Sequence, residues 1–253
     1  MFRRYDRPFR TRLGARARRG CGSRGREGRP TKIISYNLRE HTASGELAAI
    51  AERYDADVLC LQECDSTDMP LHIGPLALVD QTRGNRLGLA MYLRSDRFQV
   101  HRTKVFALRK SLHDRVMAPA HERLLAAHLT DLQTGCEVLV GDFHAAPLTA
   151  SNSLRRKQIA AAHEGMRTMK AGVPAVMVGD FNYPWFVRGL ERKLSTTGYQ
   201  LTRTNAPTYV RYRYFSGYFD FVTSTGFHID DIDVLPQGAS DHLPISLTAR
   251  IAA

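Results

Sequence analysis

Apolar positions in this chain follow two periods, and their alternation lays out a fold. Short runs rich in Val, Ile and Leu, bounded by Gly, Pro or charge, predict buried strands at 32–36, 57–62 and 173–178. Between the first two, Leu47, Ile50, Ala51 and Tyr54 recur at helical spacing. A helix over 46–54, with Ser44 as its N-cap, follows from that spacing. Strand, helix and strand within about thirty residues make a compact α/β unit. Residues 71–142 lack a helical period and read as strands at 76–80, 88–93, 98–105, 124–132 and 137–142. Hairpins at Gly84-Asn85 and Thr134-Gly135 would join them into an antiparallel meander. A long helix begins at Ser151-Asn152-Ser153, runs to about Lys170 and meets Gly172 as its cap. A second helix is expected over 184–196 with Pro184 in its first turn. The last strands come out of the aromatic run 209–222, then cover 227–235 and 245–251.

The polar residues that break this pattern sit at strand exits. After 173–178 the chain turns abruptly to Gly179-Asp180-Phe181-Asn182, and period two puts Asp180 and Asn182 on one face. Asn37 and Glu63 end the first two strands, His144 ends the run from Val138, and Asp241 and His242 precede the last strand. Asp220 lies in a further strand. A hard divalent cation such as Mg²⁺ takes oxygen ligands, usually one or two carboxylates plus waters and phosphate oxygens. Glu63, with Asn37 and Asp241, suits it. Taken singly, each residue has an ordinary reading: an acid at a strand end caps a turn, and an Asn there makes an Asx-turn.

Composition changes the picture in two ways. The 253 residues, 43% hydrophobic and 24% charged, suffice for one large globular domain with ample core. The net charge of +11 is concentrated: residues 1–30 hold eleven Arg against Asp6 and Glu27, leaving 25 basic and 23 acidic residues elsewhere. So Arg-rich an arm buries too little apolar surface to fold, and residues 1–30 are expected to be disordered, with one folded domain over 31–253. No apolar segment follows these arginines, and none downstream is long enough to span a bilayer. The expectation is a cytoplasmic monomer without an integral membrane segment. Cys21, Cys60, Cys64 and Cys136 show no C-x-x-C spacing, and reduced thiols are expected.

Six motifs then occur in order: S-Y-N-L-R at 35–39, L-Q-E at 61–63, F-H at 143–144 followed by R-R-K-Q at 155–158, G-D-F-N at 179–182, F-D-F at 219–221 and S-D-H-L-P-I at 240–245. Together they resemble the endonuclease/exonuclease/phosphatase family of deoxyribonuclease-like, metal-dependent phosphoester hydrolases, over residues 31–253. The resemblance implies an α/β fold: a four-layer α/β/β/α sandwich of two mostly antiparallel sheets flanked by helices. It also implies Mg²⁺, or Mn²⁺ in its place, at Glu63, Asn37 and Asp241. Asp180 would deprotonate the attacking water and Asn182 would hold Asp180 or the phosphate. His242, oriented by Asp220, would donate to a phosphoryl oxygen, with His144 as a second donor. Nucleic acid is the first substrate class implied; a phosphorylated lipid head group or inositol phosphate is the second, and a non-catalytic module of the same fold the third. The nearly neutral body does not advertise a DNA surface.

Two departures stand out. His144 is followed by Ala145 where the family commonly has Leu, and Asp142 adds a carboxylate on the face of His144, where it would weaken phosphate binding or join a second metal. Arg211 and Arg213 read as phosphate contacts or as a solvated face. The aromatic residues of 209–221 are expected to pack the sheet in preference to stacking on bases. The remaining histidines have no motif partner and read as core or surface residues.

Overall fold

The computed structural model describes residues 28–116, 121–211 and 215–252. The expectations for residues 1–27 and for Arg213 lie outside the described residues. Two sheets dominate. The first has seven strands in the order Phe227–Val234, Ile245–Ile251, Thr31–Asn37, Val58–Cys64, Gly88–Arg94, Leu76–Gln81 and His72–Ile73. The second has six, Gln200–Arg203, Asp220–Thr225, Ala175–Asp180, Cys136–His144, Glu122–Asp131 and Phe98–Ala107, and a two-stranded ribbon pairs Tyr209–Arg211 with Phe215–Gly217.

Three apolar layers follow from the period-two alternation of these strands. Val58, Cys60, Met91, Leu125, Val140, Val178 and Leu247 fill the space between the sheets. Leu124, Phe143, Met177 and Phe221 turn the other way, onto helices Asn152–Met169 and Val187–Ser195. Ile34, Tyr36, Leu59 and Leu61 pack on helix Leu47–Arg53. This is the expected four-layer sandwich. Burying each such side chain contributes about 1.5–3 kcal/mol, so the central layer is the main source of cohesion.

Several local expectations are corrected. The meander is divided between sheets: Leu76–Gln81 and Gly88–Arg94 pair in the first, the next three strands in the second. Alternation tells which face of a strand is buried but not which sheet buries it. Helix 184–196 starts later, at Val187, because Phe186 has φ +62° and breaks the first turn. Ser44 opens a short 3-10 turn and accepts no capping hydrogen bond, whereas Ser151 caps its helix by accepting the Leu154 N–H as expected. Cys60 and Cys64 are free and buried, but Cys136 is disulfide-bonded, against the expectation of reduced thiols throughout. Among the described residues no helix is long and apolar enough to cross a membrane.

Asp142 is corrected in a more useful way. It lies fully buried between the sheets, where Gln62 Nε2 donates to its Oδ1 at 2.6 Å, and it does not line the cleft described below. Burial pushes its pKa well above the usual carboxylate range, and the Gln62 hydrogen bond opposes the rise. Sealed between the sheets and outside the cleft lining, it is not placed to meet a phosphate or a metal there.

One buried ion-pair network closes the sandwich. Arg97 Nη1 reaches Asp57 Oδ2 at 2.5 Å and the Pro30 carbonyl at 3.1 Å, and its Nη2 donates to the Arg29 carbonyl at 2.8 Å and to Thr31 Oγ1 at 2.9 Å. Arg29, assigned to the arm by sequence, also pairs with Asp57 at 2.5 Å. Removing one partner leaves Asp57 a buried charge short of its compensation. Arg97→Met is therefore expected to lower unfolding free energy by about 3–5 kcal/mol, read as the shift in urea midpoint at unchanged slope.

Candidate active site

Topology brings the polar strand exits together. Thr31–Asn37 runs parallel to Val58–Cys64, and Cys136–His144 runs parallel to Ala175–Asp180. A parallel pair joined through a helix leaves both carboxyl ends at the same rim. Asn37 and Glu63 thus end together on one sheet, and His144 and Asp180, direct partners in register, end together on the other. Asp220 starts its antiparallel strand opposite Asp180.

Local backbone then aims the side chains. Glu63 sits at a β-bulge with φ +56°, which turns it out of the alternation that buries Leu61 and Gln62. Asn182 has φ +47° and folds back, its N–H donating to Asp180 Oδ1 at 2.8 Å and its Nδ2 to Asp180 Oδ2 at 3.0 Å. Asn37 Nδ2 bridges the two acids, 3.1 Å from Asp180 Oδ2 and 3.3 Å from Glu63 Oε1. Its Oδ1 accepts from the Arg39 N–H at 3.0 Å, so the Asx-turn and the site contact are both present. Gly179 is required here: with φ +141°, an added Cβ would lie 1.9 Å from the Phe143 carbonyl oxygen.

His242 completes the group. Its Nδ1 lies 3.0 Å from Asp220 Oδ2, and its Nε2 lies 3.7 Å from Asp180 Oδ2. His144 Nε2 approaches the same oxygen at 3.6 Å and Glu63 Oε1 at 3.9 Å. Burial alone would depress His242, but the carboxylates of Asp220, Asp180 and Asp241 outweigh it and raise the pKa to about 9. Burial lifts Asp180 to about 7; Asp220 and Glu63 add to the rise, and the His242 charge opposes it. His144 goes the other way, down to about 3, through burial and then the positive charges of Arg123 and His242. Near neutral pH the site therefore holds one imidazolium and one neutral imidazole.

Glu63, His144, Asp180, Asn182, Asp241 and His242 all line one cleft of about 850 Å³, with Asn37 and Asp220 set behind them. Arg211 is on the cleft wall. Of the aromatic run, Phe221 and Tyr218 pack in the helix-covered layer as expected, while Tyr209 and Phe219 also flank the His242 ring, with centroids 4.8 and 6.0 Å away.

Three further residues were given no role by the sequence. Arg123, nearly fully buried on the cleft wall, donates to the carbonyls of His144 at 3.0 Å and Ala145 at 2.8 Å and pairs with Asp114 at 2.5 Å. Thr208 Oγ1 accepts the N–H groups of Phe219 and Asp220, at 3.0 and 3.1 Å. Ser240 Oγ donates to the Asn37 carbonyl at 2.8 Å and accepts from the His242 N–H at 3.0 Å. Only Ser240, inside S-D-H, carried a sequence signal.

The donors at the cleft fit a hard cation. Glu63 offers a carboxylate open to the cleft, and Asp241 also lines it, with the guanidinium groups of Arg39 and Arg211 at 3.8 and 3.9 Å and the Tyr209 hydroxyl as a hydrogen-bond partner. Asn37 turns its amide N–H groups, not its oxygen, to the acids. Among the described residues, two trios of ligand-type side chains have ligand atoms within 4.8 Å of one another: Asp180, Asp220 and His242, and, away from the cleft, His101, His128 and Glu137. The first trio is joined by its own His242–Asp220 hydrogen bond. In the second, Lys170 already neutralises Glu137 at 2.8 Å.

A sandwich of two paired sheets, with acids, amides and imidazoles gathered at one rim over an open cleft, is the architecture of a class of α/β-sandwich hydrolases. The chain belongs to the endonuclease/exonuclease/phosphatase family, whose profile matches residues 34–242. Solved structures share the fold. A mannosyl-6-phosphatase of Bacteroides thetaiotaomicron superposes with a TM-score of 0.71 at 18% identity, over 87% of this chain and 99% of that one. TDP2 of D. rerio, complexed with a single-strand DNA product, gives 0.66 at 14% identity, over 87% and 99%. ANGEL2, a 2′,3′-cyclic phosphatase in complex with adenosine-2′,3′-vanadate, gives 0.69 at 14% identity, over 90% and 98%. No curated protein sequence matches the chain.

Proposed function

We propose that this family hydrolase cleaves phosphodiester bonds of nucleic acid, with Asp180 as the base that activates water. The observation that carries the reading is the state of Asp180: a buried carboxylate, poised near neutrality, fixed by three donors and 3.7 Å from an imidazolium. A carboxylate has about four acceptor positions. Asn37 and Asn182 take three of them, which leaves one to receive a proton from water. Asn182 and Asn37 fix the carboxylate's plane, so little orientation is lost when the water attacks.

Attack builds negative charge on the phosphoryl oxygens. His242, kept charged and oriented by Asp220, donates Nε2–H to that charge, and neutral His144 supplies a second N–H donor. Glu63 and Asp241 would hold Mg²⁺, which supplies further positive charge to those oxygens, with Asn37 tying Glu63 to Asp180. Mn²⁺ has the same oxygen preference. Arg211 and the arginines of residues 1–30 add positive potential that draws a polyanion. A phosphorylated lipid head group or inositol phosphate is the competing substrate, favoured by a cleft whose volume is that of a small-ligand site.

The test is the full chain with Mg²⁺ or with chelator against plasmid DNA, RNA, sphingomyelin and inositol phosphates. Hydrolysis of nucleic acid that disappears in chelator and returns with Mg²⁺ is the expected result. Hydrolysis that persists in chelator rejects the metal, and turnover of inositol phosphates alone rejects the nucleic-acid substrate.

A further inference from the structure

Beside the catalytic loop the chain exposes two adjacent aromatic side chains that no part of the chemistry above uses. Trp185 is 51% exposed and Phe186 is 79% exposed. No other Trp, Tyr or Phe whose side chain is described is exposed. Phe186 also holds φ +62°, a left-handed conformation that is costly for a bulky side chain and that in folded proteins clusters at functional sites. Trp185 lies three positions after Asn182, a reach of at most about 10 Å, which suits a nucleotide next to the reacting phosphate. Pro184, just before Trp185, stands against the cleft wall: an added Cβ at Gly217 would lie 3.7 Å from Pro184 Cβ and 2.7 Å from the ring of Phe219, which lines the cleft. Charge around the step favours a polyanion, since Arg188 beside it and Arg211 on the cleft wall are both exposed.

We propose that Trp185 and Phe186 form a stacking step for an unpaired base of the strand whose phosphodiester lies in the cleft. This rests on the nucleic-acid reading above. A base offers a flat π-face at the position where the chain presents one, and its phosphates meet the arginines. Two side chains are too small an apolar face to hold a membrane surface, which asks for an extended amphipathic face.

Trp185 is the single tryptophan of the chain, so its emission reports the step directly. The full-length Asp180→Asn protein would be titrated with oligothymidylate, with an abasic deoxyribose-phosphate chain of equal length, and with phosphatidylglycerol vesicles. Binding is followed separately by anisotropy of a label on each nucleic acid. Oligothymidylate is expected to quench the emission while the abasic chain binds without doing so. In the otherwise wild-type enzyme, Trp185→Ala should raise KM for single strands about ten-fold with kcat little changed, and Trp185→Phe should restore it. If both chains bind and neither alters the emission, the stacking step is wrong while the nuclease reading stands. A blue shift with vesicles alone also overturns it, in favour of a lipid surface. Absence of nucleic-acid binding and cleavage altogether removes the underlying reading.

Discussion

Asp180→Asn is expected to lower hydrolysis by about 10³- to 10⁴-fold, the upper range for loss of a positioned general base. The carboxamide cannot accept the proton of water near pH 7, whereas a carboxylate with a pKa near 7 is matched to that transfer. The substitution is not silent structurally. Asp180 Oδ2 accepts from both Asn37 Nδ2 and Asn182 Nδ2, and Oδ1 accepts the Asn182 N–H, so the new amide group must face at least one donor. A stability loss of about 1–3 kcal/mol follows. Single-turnover rates measured beside urea unfolding separate the two effects, because the rate loss should persist at temperatures where the variant is fully folded. A residual rate within ten-fold of wild type would remove Asp180 from the role of base.

His242→Ala is expected to cost about 10²- to 10³-fold, the range for deleting one preorganised donor, and to reshape the pH profile. The signs are fixed by which form acts. In the proposed mechanism Asp180 acts deprotonated, so activity should rise with pH through about 7, and His242 acts protonated, so activity should fall as pH passes about 9. Replacing His242 removes the alkaline limb. It also removes the positive charge that holds Asp180 down, so the acid limb should move to higher pH. An alkaline limb unchanged in His242→Ala would show that another group titrates there. Asp220→Asn should move the same limb to lower pH by lowering the imidazolium's pKa, since Asp220 is the first of the charges raising it.

Much of this site was legible because strand chemistry is local. A run of Val ending in Gly-Asp-Phe-Asn needs only period two and a polar break to announce an exit, and S-D-H and L-Q-E announce theirs in the same way. Glu63, Asn37, His144, Asp180, Asn182, Asp220, Asp241 and His242 do meet at one rim, either lining the cleft or directly behind it. Arg123 and Thr208 were not legible: each acts by hydrogen-bonding backbone groups of a distant segment, and a side chain that binds backbone leaves no partner residue to look for. Asp142 was misread for a related reason. Its strand face was right, but that face is covered by the other sheet, and Gln62 reaches it from there.

The chain's own order of residues determined which segments become strands, which residues end them, and the family to which they belong, because hydrophobic period and motif order are properties of the chain read in line. Tertiary structure alone decided that the strands of 71–142 divide between two sheets, that Asp142 is sealed between them, and that the pKa of His242 is raised while that of His144 is lowered. Those outcomes depend on burial and on charges brought near from elsewhere in the fold. A pKa is set by the few ångströms around a group, and no spacing along the chain encodes them.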